Sequence, residues 1–182
     1  GITMHEVVEK VLVSQDEIIH KCAELGAKIT SDYKALNEVP YVVGLLKGSV
    51  PFMAEIIKHI DLDIQIDFMD VSSYQGTKSV GDIRIDKDLD CSVQGLSILL
   101  VEDIVDTGRT LKEVKRTLMN KGAKDVKVVS LLDKPDRRVV DIEAEYVGFA
   151  IPNEFVIGYG LDYDQKYRNL PYIGVLKREI YE

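Results

Sequence analysis

Cysteine and histidine are scarce in this chain. The two cysteines, Cys22 and Cys91, lie in unrelated contexts and form no CxxC or Cys/His cluster. That disfavours a disulfide framework and a zinc site, and it makes reduced thiols and a cytoplasmic location the expectation. The three histidines, His5, His20 and His59, stand outside every motif described below, so no imidazole-centred chemistry is expected. No apolar run approaches the ~20 residues of a membrane span, and the first residues lack a basic segment followed by an apolar one. A soluble, untargeted protein is therefore expected. Neither GxxxxGK[ST] nor GxGxxG occurs, which disfavours a Walker-type nucleoside triphosphatase and a dinucleotide site. Basic residues are also in the minority, 23 against 31 acidic, for a net charge of -8. Nucleic acid and anionic membrane are thus poor partners, and any anion must be held locally.

What the chain does have is 182 residues, 46% of them hydrophobic, enough for one domain with a sizeable core. Ser14 and Glu17 form a capping box for a helix whose apolar positions Ile18, Cys22, Leu25 and Ile29 recur at helical spacing, ending near Tyr33. Residues 40–46 read as a buried strand, then Lys47-Gly48-Ser49 as a turn, then a helix carrying Phe52, Ile56, Ile57 and Ile60. Taken alone, that turn reads either as an anion site, with Gly48 admitting close backbone approach, or as an ordinary connection with a solvated lysine. Alternation at Ile64, Ile66 and Phe68 against Gln65 and Asp67 predicts a strand with the apolar set buried. Residues 72–81 are polar and aperiodic, readable equally as a lid or as a surface hairpin.

Residues 96–101 form the most continuous apolar strand, followed by a helix marked by Leu111, Val114 and Leu118 that Gly122 can end. Another strand carries Val126, Val128, Val129, Leu131 and Leu132. Short strand candidates follow at 146–150 and 155–160, with no long helix after Gly122. Repeated strand and helix units imply an α/β fold with a mainly parallel sheet, whose ligand sites lie beyond the carboxyl ends of its strands. Lys47, Glu102, Asp103, Asp106 and Lys134 all fall at such ends. The chain's two ends are expected to form a small lobe on the same domain.

Around the junction at residues 99–110, Glu102 and Asp103 point to opposite sides if the strand persists, and Asp106 lies beyond the turn. Adjacent carboxylates suit a hydroxylated, metal-bound substrate, and a third suits proton transfer. Two hydroxyls, a glycine, an arginine and a helix amino end suit a phosphate monoester. Each acid taken singly reads equally well as a helix cap or part of a hydrated loop.

The segment Val101-Glu102-Asp103-Ile104-Val105-Asp106-Thr107-Gly108-Arg109-Thr110 closely resembles the phosphoribosyl pyrophosphate (PRPP) signature of type I phosphoribosyltransferases. Leu46-Lys47-Gly48, Ser73-Tyr74, Leu132-Asp133-Lys134 and the run from Phe155 to Asp162 extend the resemblance to the hypoxanthine-guanine phosphoribosyltransferases, in order along nearly the whole chain. The resemblance implies a mainly parallel sheet flanked by helices, with a hood lobe built from the N-terminal segment and residues after about 150. It implies purine salvage: 5-phosphoribosyl transfer from PRPP to N9 of hypoxanthine or guanine, giving IMP or GMP and pyrophosphate, with Mg2+ as cofactor. By the same resemblance Asp106 is the proton-transfer group. Glu102 and Asp103 hold the ribose and metal, and Asp106, Thr107, Gly108, Arg109 and Thr110 cradle the 5-phosphate. Lys47, Gly48 and Arg168 face pyrophosphate, with a cis peptide between Leu46 and Lys47. Lys134, Phe155, Val156 and Asp162 form the purine site, Asp162 also meeting a second magnesium. Ser73 and Tyr74 belong to a lid. The family resemblance further implies a homodimer or homotetramer.

Overall fold

The computed structural model describes residues 3–73 and 83–182. Helix α1 (Gln15–Ala35) begins at the capping box, where Ser14 Oγ accepts the Glu17 N–H at 3.2 Å and Glu17 Oε1 accepts the Ser14 N–H at 3.1 Å. Two otherwise orphaned donors are satisfied in this way. Its buried stripe is Ile18, Cys22, Leu25, Ile29 and Tyr33. Cys22 is a core residue, and burial, aided by the charge of Glu55, pushes its thiol up to about 12, so it carries no thiolate near neutrality.

Six strands form the main sheet in the order β4-β3-β2-β5-β6-β7. They are β2 (Tyr41–Leu45), β3 (Gln65–Ser73), β4 (Ile83–Lys87), β5 (Ser97–Val105), β6 (Asp125–Asp133) and β7 (Tyr146–Ala150). All pairings are parallel except β3 with β4. Helices α1 and α2 (Val50–Ile56) cover one face, where Val42, Leu99, Val101 and Leu131 meet Ile18, Ile29, Phe52 and Ile56. Helix α3 (Arg109–Asn120) covers the other, where Leu111, Val114 and Leu118 meet Val43, Ile98, Leu100 and Val128. Strand β5 is apolar from Ile98 to Val101 because both its faces are covered. Each fully buried aliphatic side chain contributes about 1.5–3 kcal/mol.

A second, antiparallel sheet of order β1-β9-β8 joins β1 (Val8–Val13), β8 (Val156–Ile157) and β9 (Ile173–Leu176). Neither β1 nor β9 is predicted from the sequence. Strand β1 has irregular burial, with register shifts against β9, so alternation is lost. The turn after β8 reaches the main sheet: Gly160, at φ 102°, lies so close to the Gly48 carbonyl that a Cβ would collide with it.

The predicted face of β3 is wrong in part. Asp67 is buried and Ile66 is 46% exposed, the reverse of the expectation. The amino-terminal half of β3 is a sheet edge, because β4 pairs only from Asp70 to Ser73, and Ile66 faces outward there. Asp67 instead accepts from the Tyr41 hydroxyl at 2.6 Å, its neighbour's Phe68 N–H at 2.7 Å and the Asp90 N–H at 2.8 Å. Burial alone would raise its pKa; these donors and Lys87 outweigh it and hold the carboxylate below its usual range. Its contribution is therefore present above the unfolded-state pKa and lost as pH falls through the lower folded one. Replacing Asp67 with alanine strands buried donors. A loss of about 2–3 kcal/mol is expected by denaturant unfolding at neutral pH, and an unchanged midpoint would contradict this role.

Candidate active site

Strand β5 persists through Glu102 and Asp103 to Val105, and the two carboxyl groups at its end stay close enough to act on one another rather than diverging to opposite faces as the strand pattern predicts. Glu102 lines a cavity of about 190 Å³ together with Ile104, Val105, Asp106, Thr107, Gly108, Thr110 and Leu111. Asp103 lies against Gly48, close enough that any Cβ at residue 48 would strike its carboxylate. Gly108 adopts φ 87° and turns the chain into α3; a side chain there would also run into Ile142. The first turn of α3 leaves N–H groups without intrahelical acceptors at the cavity wall. Arg109 is the first residue of α3 and is not part of that cavity's lining.

Burial, followed by the charge of Asp103, pushes the Glu102 carboxyl well above its usual range. Burial also raises Asp103, against the opposing pull of Glu102 and the Ile104 N–H, which donates to Asp103 Oδ1 at 2.7 Å. Two crowded carboxyl groups of this kind favour a cation between them and a ligand. Among the described residues no group of three or more His, Cys, Asp or Glu forms a metal cage. The donor set fits magnesium all the same, since that ion is commonly held by one or two carboxylates plus substrate oxygens and water.

Next to the first cavity lies a larger one of about 460 Å³, with Asp106 and Ile104 in both walls. Lys134, immediately after β6, is only 8% exposed, and burial lowers its pKa while the charge of Asp106 opposes the shift. Phe155, Val156, Leu161 and Asp162 complete the wall opposite. The sequence-predicted purine group is thus brought together around one space. Five further lining residues were missed: Ile104, Arg137, Asn153, Leu161 and Tyr181. Arg137 donates from Nε to Asp106 Oδ1 at 3.0 Å, and the basic run after Lys134 is a signal that points to it. Tyr181, in the terminal turn α4 (Arg178–Tyr181), stacks on Phe155 at 4.7 Å between ring centroids. No sequence pattern marks that contact.

The Lys47 turn forms a third group. The Leu46–Lys47 peptide is cis, as expected. Lys47 Nζ lies 3.3 Å from Gln165 Oε1, which also accepts from Arg168 at 3.2 Å. Arg168 donates to the Gly160 carbonyl at 2.7 Å and lies 3.6 Å from Asp162. Lys47, Gly48, Asp162 and Arg168 are therefore neighbours, with Gln165 as a member that reading of the sequence missed. Ser73 ends β3; Tyr74 lies outside the described residues.

Comparisons with known proteins identify the family. The phosphoribosyl transferase domain family matches residues 10–164. A hypoxanthine-guanine phosphoribosyltransferase of Lactococcus lactis is 57% identical over 179 residues, 98% of this chain and 96% of its own length. A bifunctional protein TilS/HprT of Listeria monocytogenes is 54% identical over 98% of this chain, which spans 28% of that protein. A crystal structure of a hypoxanthine phosphoribosyltransferase from Staphylococcus aureus superposes with a TM-score of 0.91 at 50% identity, covering 98% of this chain and 97% of that one. With the family matched over most of its length and relatives more than 50% identical along nearly all of it, the chain belongs to the phosphoribosyl transferase family.

Proposed function

We propose that the protein transfers the 5-phosphoribosyl group of PRPP to N9 of hypoxanthine or guanine, releasing pyrophosphate and forming IMP or GMP. The observation that carries this reading is the position of Asp106 in the wall shared by the two cavities. A group there faces both a phosphate held by residues 106–110 and a planar base held beside Lys134.

In this reading Thr107, Gly108, Arg109 and Thr110 receive the 5-phosphate through backbone N–H groups, hydroxyls and charge. Glu102 and Asp103 face the ribose hydroxyls. Lys134 donates to the 6-oxo oxygen, Phe155 stacks on the base and Val156 reads its edge. Lys47, Gly48 and Arg168 receive pyrophosphate. As the ribose C1–O bond breaks, positive charge develops on the sugar and negative charge on pyrophosphate, where these cations are most useful. N9 attacks C1, and the proton of N7 passes to the Asp106 carboxylate. Magnesium, held by Glu102, Asp103 and Asp162 with substrate oxygens, would supply charge neutralisation of the departing pyrophosphate. A lid including Ser73 and Tyr74 would keep water from the cationic sugar. We further propose a single domain with a hood formed by the β1-β9-β8 sheet, a homodimeric or homotetrameric assembly, and a cytoplasmic location.

Incubation with PRPP, Mg2+ and each of hypoxanthine, guanine, xanthine and adenine tests the reading. Nucleotide is expected from a 6-oxopurine, with adenine poorer by about a hundredfold or more in kcat/KM, because its 6-amino group opposes the Lys134 donor. No product from any base refutes the proposal. Asp106→Asn should lower kcat by about a hundredfold or more while the KM for PRPP changes little; unchanged turnover would remove its proton-transfer role. Lys134→Ala should weaken 6-oxopurine binding by about ten- to a hundredfold, the worth of one charged hydrogen bond, and parental purine affinity would overturn that assignment.

A further inference from the structure

The turn from β5 into α3 is held from behind by the segment that follows β6. The Lys134 N–H donates to the Val105 carbonyl at 2.9 Å, and the Val139 N–H donates to the Thr107 carbonyl at 3.0 Å. Between them, Arg138 Nη1 donates to the Asp106 carbonyl at 2.7 Å. Three consecutive carbonyls of the turn are therefore engaged on its outer side. In a trans peptide the carbonyl of one residue and the N–H of the next point in opposite directions. Binding the carbonyls of Val105, Asp106 and Thr107 behind the turn thus aims the N–H groups of Asp106, Thr107 and Gly108 forward, towards the cavity they line. Two of the three tethers are backbone groups that substitution leaves in place. The middle one is a side chain.

That side chain is itself firmly built in. It is about nine-tenths covered, and its guanidinium donates to Asp133 Oδ1 at 2.5 Å, the Ile142 carbonyl at 2.8 Å and Glu143 Oε2 at 3.2 Å besides Asp106. Asp133 is equally covered and gives the cation a buried counter-charge at the end of β6. Only a planar, multidentate guanidinium reaches these acceptors together. Its aliphatic stem also flanks Gly108, the left-handed residue of the turn.

We propose that Arg138 is a positioning residue for the 5-phosphate: by holding the Asp106 carbonyl it aims the Thr107 N–H at the phosphate of PRPP and of the product nucleotide. The proposal rests on the phosphoribosyl-transfer reading above and adds to it a residue that touches neither substrate. It predicts a phosphate-specific defect rather than a general one, because the base is held by groups on the other side of Asp106.

The test compares the parent with Arg138→Met and Arg138→Lys by steady-state kinetics, by binding of GMP and of guanosine, and by thermal unfolding. In Arg138→Met the KM for PRPP and the Kd for GMP should rise about tenfold or more, the loss of a charge-assisted hydrogen bond. The KM for hypoxanthine and the Kd for guanosine should stay within about twofold of the parent. Arg138→Lys keeps the charge beside Asp133 but cannot span the acceptors. It should show the same split to a smaller degree, and it decides the matter if the methionine variant does not fold. A PRPP KM within about twofold of the parent, or GMP and guanosine weakened by the same factor, overturns the proposal. A parent enzyme that makes no nucleotide overturns the transfer reading as well, whereas an active parent with unsplit variants overturns the role of Arg138 alone.

Discussion

Parallel pairing of β5 with β2 on one side and β6 on the other is the constraint from which the site follows. Gly44 sits opposite Val101, and Val105 sits opposite Asp133, so the three strands end at related heights. Their next residues are then forced into one neighbourhood: the Lys47 turn after β2, the Asp106 turn after β5 and Lys134 after β6. None of these side chains could be moved by one strand position without passing to the other face of the sheet. The apolar residues between Ile98 and Val101, buried on both faces, fix that register and so fix the distances among the charged groups beyond it.

The antiparallel β1-β9-β8 sheet adds the second half of the constraint. It places the turn after β8 against Gly48, which brings Asp162 and Arg168 to the Lys47 turn and Phe155 and Val156 to the cavity beside Lys134. The larger cavity is thus walled by residues of both sheets, and Asp106 stands where it meets the cavity at the turn after β5. Burial lowers Lys134 and raises Glu102 and Asp103, so the charged form of the lysine calls for an acceptor beside it and those of the carboxylates for a cation.

Much of this was legible in the chain itself. The capping box at Ser14, the strand ending in Glu102 and Asp103, the helix of Leu111, Val114 and Leu118 and the clustering of acids with Lys134 follow from periodicity and end signals that act locally. Recognition of the PRPP signature then named the chemistry. What was not legible depends on contacts far apart in sequence. Asp67 lies inward because Tyr41 and Asp90 meet it there, and a strand pattern cannot announce such donors. Strands β1 and β9 stabilise one another across almost the full length of the chain. Tyr181 reaches Phe155 from the final turn, and the role of Arg138 is visible only once three carbonyls are seen to share one side.

The central claim is that the turn after β5 receives the 5-phosphate while Lys134 receives the 6-oxo group of the base, with Asp106 between them. The most direct measurement is a crystal structure of the protein with GMP. The account predicts the phosphate oxygens within hydrogen-bond reach of the N–H groups of Thr107, Gly108 and Thr110, with guanine stacked on Phe155 and its 6-oxo oxygen on Lys134. A phosphate seated at the Lys47 turn, or a base outside the cavity shared by Asp106 and Lys134, would contradict it.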